Sequence, residues 1–226
     1  LGSRGLGDVY KRQYLNCLKT LYGMIQQNKG NDAQQMILYV SQYIRYTFRD
    51  NSSLVPLQTE LNQVQNYYKL QKLNTRDSSE LTISADPAVS KFPVPMLCIQ
   101  TFVENSFKHG RISSQPLNVH ISVQLTETEE GNYLNISIQD NGTGFPDEFL
   151  QSFLQHTEDA VTGQHIGIHN LRQRLTLLYG DQAGLICMNN SSGAMTEIIL
   201  PIQEEPNTSS ETKSSLLSNE NLFSLS

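Results

Sequence analysis

The sequence predicts an α+β fold: a two-layer α/β sandwich, in which a mixed sheet carries helices on one face, preceded by an α-helical hairpin. Three observations carry this reading. Apolar residues between Tyr14 and Gln71 recur at helical spacing, those between Val119 and Ile138 alternate strictly, and Pro and Gly punctuate the chain between and after these stretches. The 226 residues suit one to two domains and can bury a core without disulfide or metal staples.

Residues 1–13 (LGSRGLGDVYKRQ) have three Gly, no apolar period and a charge of +2, from Arg4, Lys11 and Arg12 against Asp8. They read as a non-native scar and are set aside. The first helical stripe is Leu15, Leu18, Tyr22 and Ile25. Gly30 and Asn31 follow, Asp32 suits an N-cap, and a second stripe runs through Ile37, Val40, Ile44 and Phe48. So short a connection makes an antiparallel hairpin. Two helices alone leave their stripes uncovered, and a dimer would supply the missing layer. A third helix starts near Leu57, with Leu57, Leu61, Val64, Tyr68 and Gln71 facing inward. The helical region is 14–74.

The pattern then changes, and residues 75–202 form the sandwich. Leu81–Ser84 suits a first strand. Pro95 suits the first turn of a helix that runs through Leu97, Ile99, Phe102, Val103 and Phe107 to a stop at Gly110. Val119, Ile121, Val123 and Leu125, then Leu134, Ile136 and Ile138, make a β-hairpin with one buried face around a turn at Glu130–Asn132. A Gly-rich loop follows, then helices near Asp147–Gln155 and Ile168–Tyr179. Strands near Leu185–Asn189 and Thr196–Pro201 close the sheet around Ser191-Ser192-Gly193. Residues 203–226, with seven Ser and four Glu, bury too little apolar surface to offset their ordering entropy and are expected to be a disordered polar tail.

Sixteen basic and 22 acidic residues leave a formal net charge of −6, or −8 without the +2 of residues 1–13. A chain of this sign is not built to blanket nucleic acid, and no nucleic-acid partner is expected. No apolar run approaches the ~18 residues of a membrane span. Cys17, Cys98 and Cys187 are too widely spaced for a disulfide framework or a metal knuckle, which suits a reducing, cytoplasmic setting.

Three stretches carry chemistry. In Glu104-Asn105-Ser106-Phe107-Lys108-His109-Gly110, residues Asn105, Lys108 and His109 stand at i, i+3 and i+4 on one helix face. An amide oxygen beside an ammonium and an imidazole suits Mg²⁺ on a phosphate chain, although a polar helix end would look similar. Asp140-Asn141-Gly142-Thr143-Gly144 follows a strand. Its carboxylate could accept the exocyclic amine of adenine while the glycines let backbone approach a flat ring, but a bare motif of this kind is more often an ordinary turn. Gly163-Gln164-His165-Ile166-Gly167-Ile168-His169-Asn170 opens a helix whose backbone N–H groups suit an anion. His165 and His169 stand at i, i+4, but no carboxylate or cysteine accompanies them as further metal ligands.

In this order and spacing the three stretches resemble the Bergerat-type ATP-binding fold of histidine kinases, DNA gyrase B, Hsp90 and MutL. Within it the chain is most similar to the LytS/YesM-like sensor histidine kinases. Pro93 to Gly110 (PVPMLCIQTFVENSFKHG) resembles that class's Asn motif, and Gly167 to Leu175 (GIHNLRQRL) its second Gly motif. Tyr43–Tyr46, Val55–Leu61 and Asn66–Gln71 resemble the segments that link its phosphoacceptor helices to the ATP domain.

The resemblance implies ATP and Mg²⁺ as cofactors. It implies that Asn105 ligates Mg²⁺, that Asp140 reads the adenine amine, and that Gly142 and Gly144 shape the adenine pocket and the hinge of a lid spanning about Phe145 to Gly167. Gly167, Ile168 and Asn170 would hold phosphate through backbone N–H groups, Lys108 and His109 would contact phosphate, and Thr196 would support the adenine site. Glu104 would orient the acceptor imidazole. The activity implied is phosphoryl transfer from ATP to a histidine and on to a response regulator receiver domain, by a homodimer formed through the helical hairpin. The parent protein would lie in the bacterial cell membrane through an upstream segment. Two other readings share the fold: an ATPase using Glu104 as general base, and an anti-sigma-type Ser kinase.

One departure stands out. The class carries its acceptor in a Pro-His-Phe segment just before the helix that begins here at Tyr14, so the His and Phe fall at Arg12 and Gln13. The five histidines are His109, His120, His156, His165 and His169, all in the ATP half, so this chain is not expected to phosphorylate itself. A second departure is His165, where many relatives carry Gly.

Overall fold

The computed structural model describes residues 15, 17–47, 54–75, 78–112, 115–129, 131–155 and 166–202. Helix α1 (17–26) ends at a turn in which Asn28 adopts φ 56°, a left-handed conformation that Asn tolerates. Helix α2 (Gly30–Thr47) follows, and Asp32 lies inside its first turn, not at its cap. Cys17 and Met24 pack with Ala33 and Met36 of α2 and with Leu70 of helix α3 (Leu57–Thr75), forming a small cluster of their own.

The hairpin differs from expectation in which face it buries. Leu15, Leu18, Tyr22 and Ile25 are 58–64% exposed, and Ile37 is 49% exposed. On α2 the buried stripe is Ala33, Met36, Tyr43 and Tyr46, shifted one position from the expected one, whose Phe48 lies outside the described residues. The tyrosines go inward because their hydroxyls find buried acceptors there, which an aliphatic side chain could not use. On α3, Leu57, Leu61 and Val64 face inward as expected. Tyr68 and Gln71 are half-buried, while Tyr67, Leu70 and the carboxylate of Glu60 take the deeper places.

Strands β1 (Leu54–Pro56) and β3 (Pro93–Pro95) pair antiparallel in a small two-stranded ladder that flanks α3. Pro95 therefore ends a strand and does not open a helix. Residues 96–99 form a turn in which Leu97 adopts φ 65°, and helix α4 (Gln100–His109) starts after it. Glu60 makes that start possible. Its Oε1 accepts the N–H groups of Ile99 (3.1 Å) and Gln100 (3.1 Å), its Oε2 accepts that of Leu97 (3.0 Å), and Tyr46 donates its hydroxyl to the same oxygen. Donors at a helix start need such a partner, and α4 takes its own from α3.

The main sheet has the order β2-β4-β5-β7-β6, with β2 (Glu80–Ala85), β4 (Asn118–Thr128), β5 (Gly131–Asp140), β6 (Gly184–Asn189) and β7 (Ala194–Pro201). Only β2 and β4 run parallel. Along the β4–β5 ladder the pairs Ile121↔Ile138 and Val123↔Ile136 face the core, whereas Leu125, opposite Leu134, is half-exposed at the open end. Helices α4, α5 (Asp147–Gln155) and α6 (Ile166–Tyr179) cover this face with Phe102, Val103, Phe149, Phe153, Ile168, Leu171 and Leu175. The core continues into α2 and α3. Tyr67 meets Tyr43 at 5.8 Å between ring centroids and Phe107 edge-on at 5.9 Å. The chain is thus an α+β sandwich with helices on one face of a mixed sheet.

Candidate functional site

Alternation puts Asp140, the last residue of β5, on the core side, opposite Val119. It is 5% exposed. Its Oδ2 accepts the Ser106 hydroxyl at 2.5 Å, and its Oδ1 accepts the N–H groups of Gly142 (2.9 Å) and Ala194 (3.2 Å). Three neutral donors hold the carboxylate in one orientation.

Close backbone approach builds the surroundings. A β-carbon on Gly142 would lie 2.2 Å from the Gly110 carbonyl oxygen, so only glycine lets this loop cross the end of α4. One on Gly193 would lie 2.5 Å from the Asp140 carbonyl oxygen. Thr143 donates its N–H to the Gly110 carbonyl (3.2 Å) and its hydroxyl to that of His109 (3.0 Å). Gly144 adopts φ 78°, and Asn189 then holds both backbone groups of Phe145, accepting its N–H at 2.7 Å and donating to its carbonyl at 2.8 Å.

These elements enclose a cavity of about 240 Å³ lined by Asn105, His109, Asp140, Gly144 and Thr196, with Phe102, Ile138 and Phe145 as apolar walls. The Asn105 Nδ2 is buried and has no hydrogen-bond partner. An orphaned amide is costly unless a ligand meets it. Burial, and after it the Lys108 ammonium, pushes the His109 pKa below its ordinary value and so favours the neutral ring. Thr196 pairs with Ile138 across the β5–β7 ladder and shares a side-chain hydrogen bond with Cys187, whose thiol burial pushes up to about 12. A partly apolar cavity lined by a fixed carboxylate and an unsatisfied amide suits a flat heteroaromatic ring with an N–H donor and a polar extension.

The other expected residues stand apart from this cavity. Glu104 and Lys108 form an ion pair at 2.7 Å, and Glu104 Oε1 also accepts from Tyr43 (2.8 Å) and Gln100 (2.9 Å). Lys108 is thus turned toward Glu104 and does not line the cavity. Gly167, Ile168 and Asn170 lie in the first turns of α6. A β-carbon on Gly167 would sit 3.1 Å from the Thr101 methyl, so the glycine lets α6 approach α4; Ile168 is fully buried and Asn170 exposed. Gly163 and His165 fall outside the described residues. So does the 156–165 part of the expected lid. Its described base is a run of rings, Phe145, Phe149 and Phe153, with His169 edge-on to the last two, and Arg172 stacks 3.3 Å over Phe153.

The sequence assigned no role to Ser106, Gly193, Gln100 or Tyr43. Ser106 stands beside Asn105, Gly193 closes a Ser-Ser-Gly turn, and Gln100 and Tyr43 fall in segments that resemble the family. Nothing local points from Tyr43 to its partner, 61 positions away. Among the described residues no group of three or more His, Cys, Asp or Glu could hold a metal ion, and no helix is long and apolar enough to cross a membrane.

Two family models match the chain. The one described as Histidine kinase-, DNA gyrase B-, and HSP90-like ATPase covers residues 94–206, and the one described as Histidine kinase covers residues 14–79. A Sensor protein LytS from Staphylococcus epidermidis is 28% identical over 189 residues, which are 83% of this chain and 31% of that protein. A sensor-like histidine kinase from the same species is 32% identical over 160 residues, 70% of this chain and 30% of that one. A Sensor protein LytS from Oceanobacillus iheyensis is 30% identical over 174 residues, 75% and 29%. The chain spans less than a third of the length of these curated relatives. Among solved structures, the nucleotide-free catalytic domain of histidine kinase ThkA aligns with a TM-score of 0.50 at 13% identity, over 66% of this chain and 94% of that one, a likeness of fold.

Proposed function

The chain belongs to the histidine kinase-, DNA gyrase B- and HSP90-like ATPases, and from that membership we propose that it is the ATP-binding catalytic region of a two-component sensor histidine kinase. One observation carries the reading: a buried, oriented Asp140 and the unpartnered amide of Asn105 face one cavity. ATP binding follows from the family. In this reading Asp140 accepts the adenine amine and Thr196 supports it, while Gly142 and Gly144 shape the slot. Asn105 would hold Mg²⁺ through its amide oxygen and offer its unpartnered Nδ2 to a phosphate oxygen, and the metal would supply charge neutralisation. Lys108, His109 and the backbone N–H groups at Gly167, Ile168 and Asn170 meet the phosphates. Glu104 orients the acceptor imidazole, whose ring nitrogen displaces ADP from the γ-phosphorus, and a receiver-domain Asp then takes the phosphoryl group. Residues 75–202 form the ATP domain and 14–74 the dimerisation and linker region, in a parent held in the bacterial membrane.

Because Arg12 and Gln13 stand where relatives carry the acceptor His and Phe, the variant Arg12→His with Gln13→Phe is expected to gain acid-labile label from γ-labelled ATP that the parent chain lacks. Acid-stable label on Ser would favour the anti-sigma-type kinase. Steady phosphate release abolished by Glu104→Gln would favour the ATPase.

The exposed α1 stripe supports a homodimer through the hairpin, since a second copy would cover it. Leu18→Glu with Ile25→Glu is expected to shift the chain from dimer to monomer in light scattering. Unburying two such side chains costs on the order of 3–6 kcal/mol per copy.

A further inference from the structure

The Glu104 carboxylate sits at a junction between three elements. Lys108 Nζ reaches its Oε2 at 2.7 Å, and on its Oε1 converge Tyr43 from α2 at 2.8 Å and Gln100 from the first turn of α4 at 2.9 Å. Glu104 is 8% exposed, so these three donors replace most of its water. Lys108 is the one cation among them, and it is one helical turn from Asn105, which lines the cavity. In the ATP-site reading a nucleotide's phosphates and Glu104 would draw on the same ammonium.

We propose that Tyr43 tunes polyphosphate binding through Glu104: its hydroxyl satisfies the carboxylate and so frees Lys108 for the phosphates. The proposal rests on the ATP-site reading above. A buried carboxylate holds its remaining donors more tightly as their number falls, because each unmet lone pair carries a desolvation cost. With Tyr43 and Gln100 in place, Glu104 can release Lys108 at moderate cost. Without the Tyr43 hydroxyl it keeps Lys108. Coupling is reciprocal: phosphates that take Lys108 leave Glu104 more dependent on Tyr43, which draws α2 onto α4. Tyr43 is thus a positioning residue that lets the helical region register whether the nucleotide site is loaded.

The test is calorimetry of Mg²⁺-ATP and, separately, adenosine on the parent chain, Tyr43→Phe, Glu104→Gln and the double variant. Tyr43→Phe is expected to weaken ATP about tenfold, the low end of the worth of one hydrogen bond to a charged group, and to leave adenosine unchanged. Glu104→Gln is expected to tighten ATP several-fold by removing the competitor, and Tyr43→Phe then has no further effect in that background. Equal losses for ATP and adenosine in Tyr43→Phe would reveal a structural role only and overturn the proposal. So would an unchanged ATP affinity in Glu104→Gln, which decides the matter even if Tyr43→Phe fails to fold. Failure of the parent chain to bind either compound is a different outcome: it removes the ATP-site reading itself.

Discussion

Asp140→Asn is expected to weaken ATP and adenosine alike by about a hundredfold or more, the range set by losing one charged acceptor and facing the ligand's N–H with another N–H. The geometry makes this a clean experiment. Asn can keep an oxygen where Oδ1 accepts from Gly142 and Ala194, and its amide can donate to Ser106, whose hydroxyl both donates and accepts. The fold should survive while the acceptor offered to an adenine amine becomes a donor. Calorimetry reads the affinity, and a thermal melt within about 1 kcal/mol of the parent would place the loss in recognition and not in stability. Unchanged affinity would remove Asp140 from the nucleotide site. The pattern also differs from that expected of Tyr43→Phe, which spares adenosine.

Glu60→Ala is expected to cost about 3–5 kcal/mol in urea unfolding, because several buried donors lose their acceptor at about 1–3 kcal/mol each. Glu60 is fully buried, and its removal orphans the N–H groups of Leu97, Ile99 and Gln100 together with the Tyr46 hydroxyl. Glu60→Gln should cost less, about 1–3 kcal/mol, because its oxygen still serves Ile99 and Gln100 while its amide confronts the Leu97 N–H. The pH dependence has a defined sign. Burial raises the Glu60 pKa above its ordinary 4.5, against the pull of its donors, so the folded chain holds this proton more tightly than the unfolded one. Its contribution is complete below about pH 4.5 and fades as pH rises through the folded value. The stability gap between parent and Glu60→Gln should therefore widen as pH falls from 7 toward 5.

Much of the sandwich is legible in the sequence because its sheet is buried on one face. Val119, Ile121 and Val123 with Leu134, Ile136 and Ile138 alternate as a half-buried hairpin must, and a buried Asp140 closes that alternation where an apolar residue would be expected. Gly144 is readable for a local reason, since its own backbone takes φ 78°, and Gly142 is readable as a turn although what requires it is the distant Gly110 carbonyl. Long-range contacts were not legible. Pro95 has the propensity of a helix start, yet α4 begins five residues later because Glu60, 37 positions before Leu97, supplies its first acceptor. In the α3 pattern Glu60 looks like an ordinary surface position. The hairpin stripes were visible, but period alone does not say which of two apolar faces meets the domain and which is left outward. That choice was made by Tyr43 and Tyr46, whose acceptors lie on other elements.

Those two tyrosines stand three residues apart on one side of α2, and each bonds a different carboxylate, Glu104 in the middle of α4 and Glu60, the α3 residue that caps the start of α4. A helix rooted this way in the common core behaves less like a hinged arm than like an axle with two teeth. Turning it about its own axis disengages both hydroxyls together, at a cost of about 3–6 kcal/mol for two hydrogen bonds to charged groups. Small torques are absorbed without effect, and a sufficient one moves the helix in a single click. Input arriving along α2 would thus reach α4 as a discrete step.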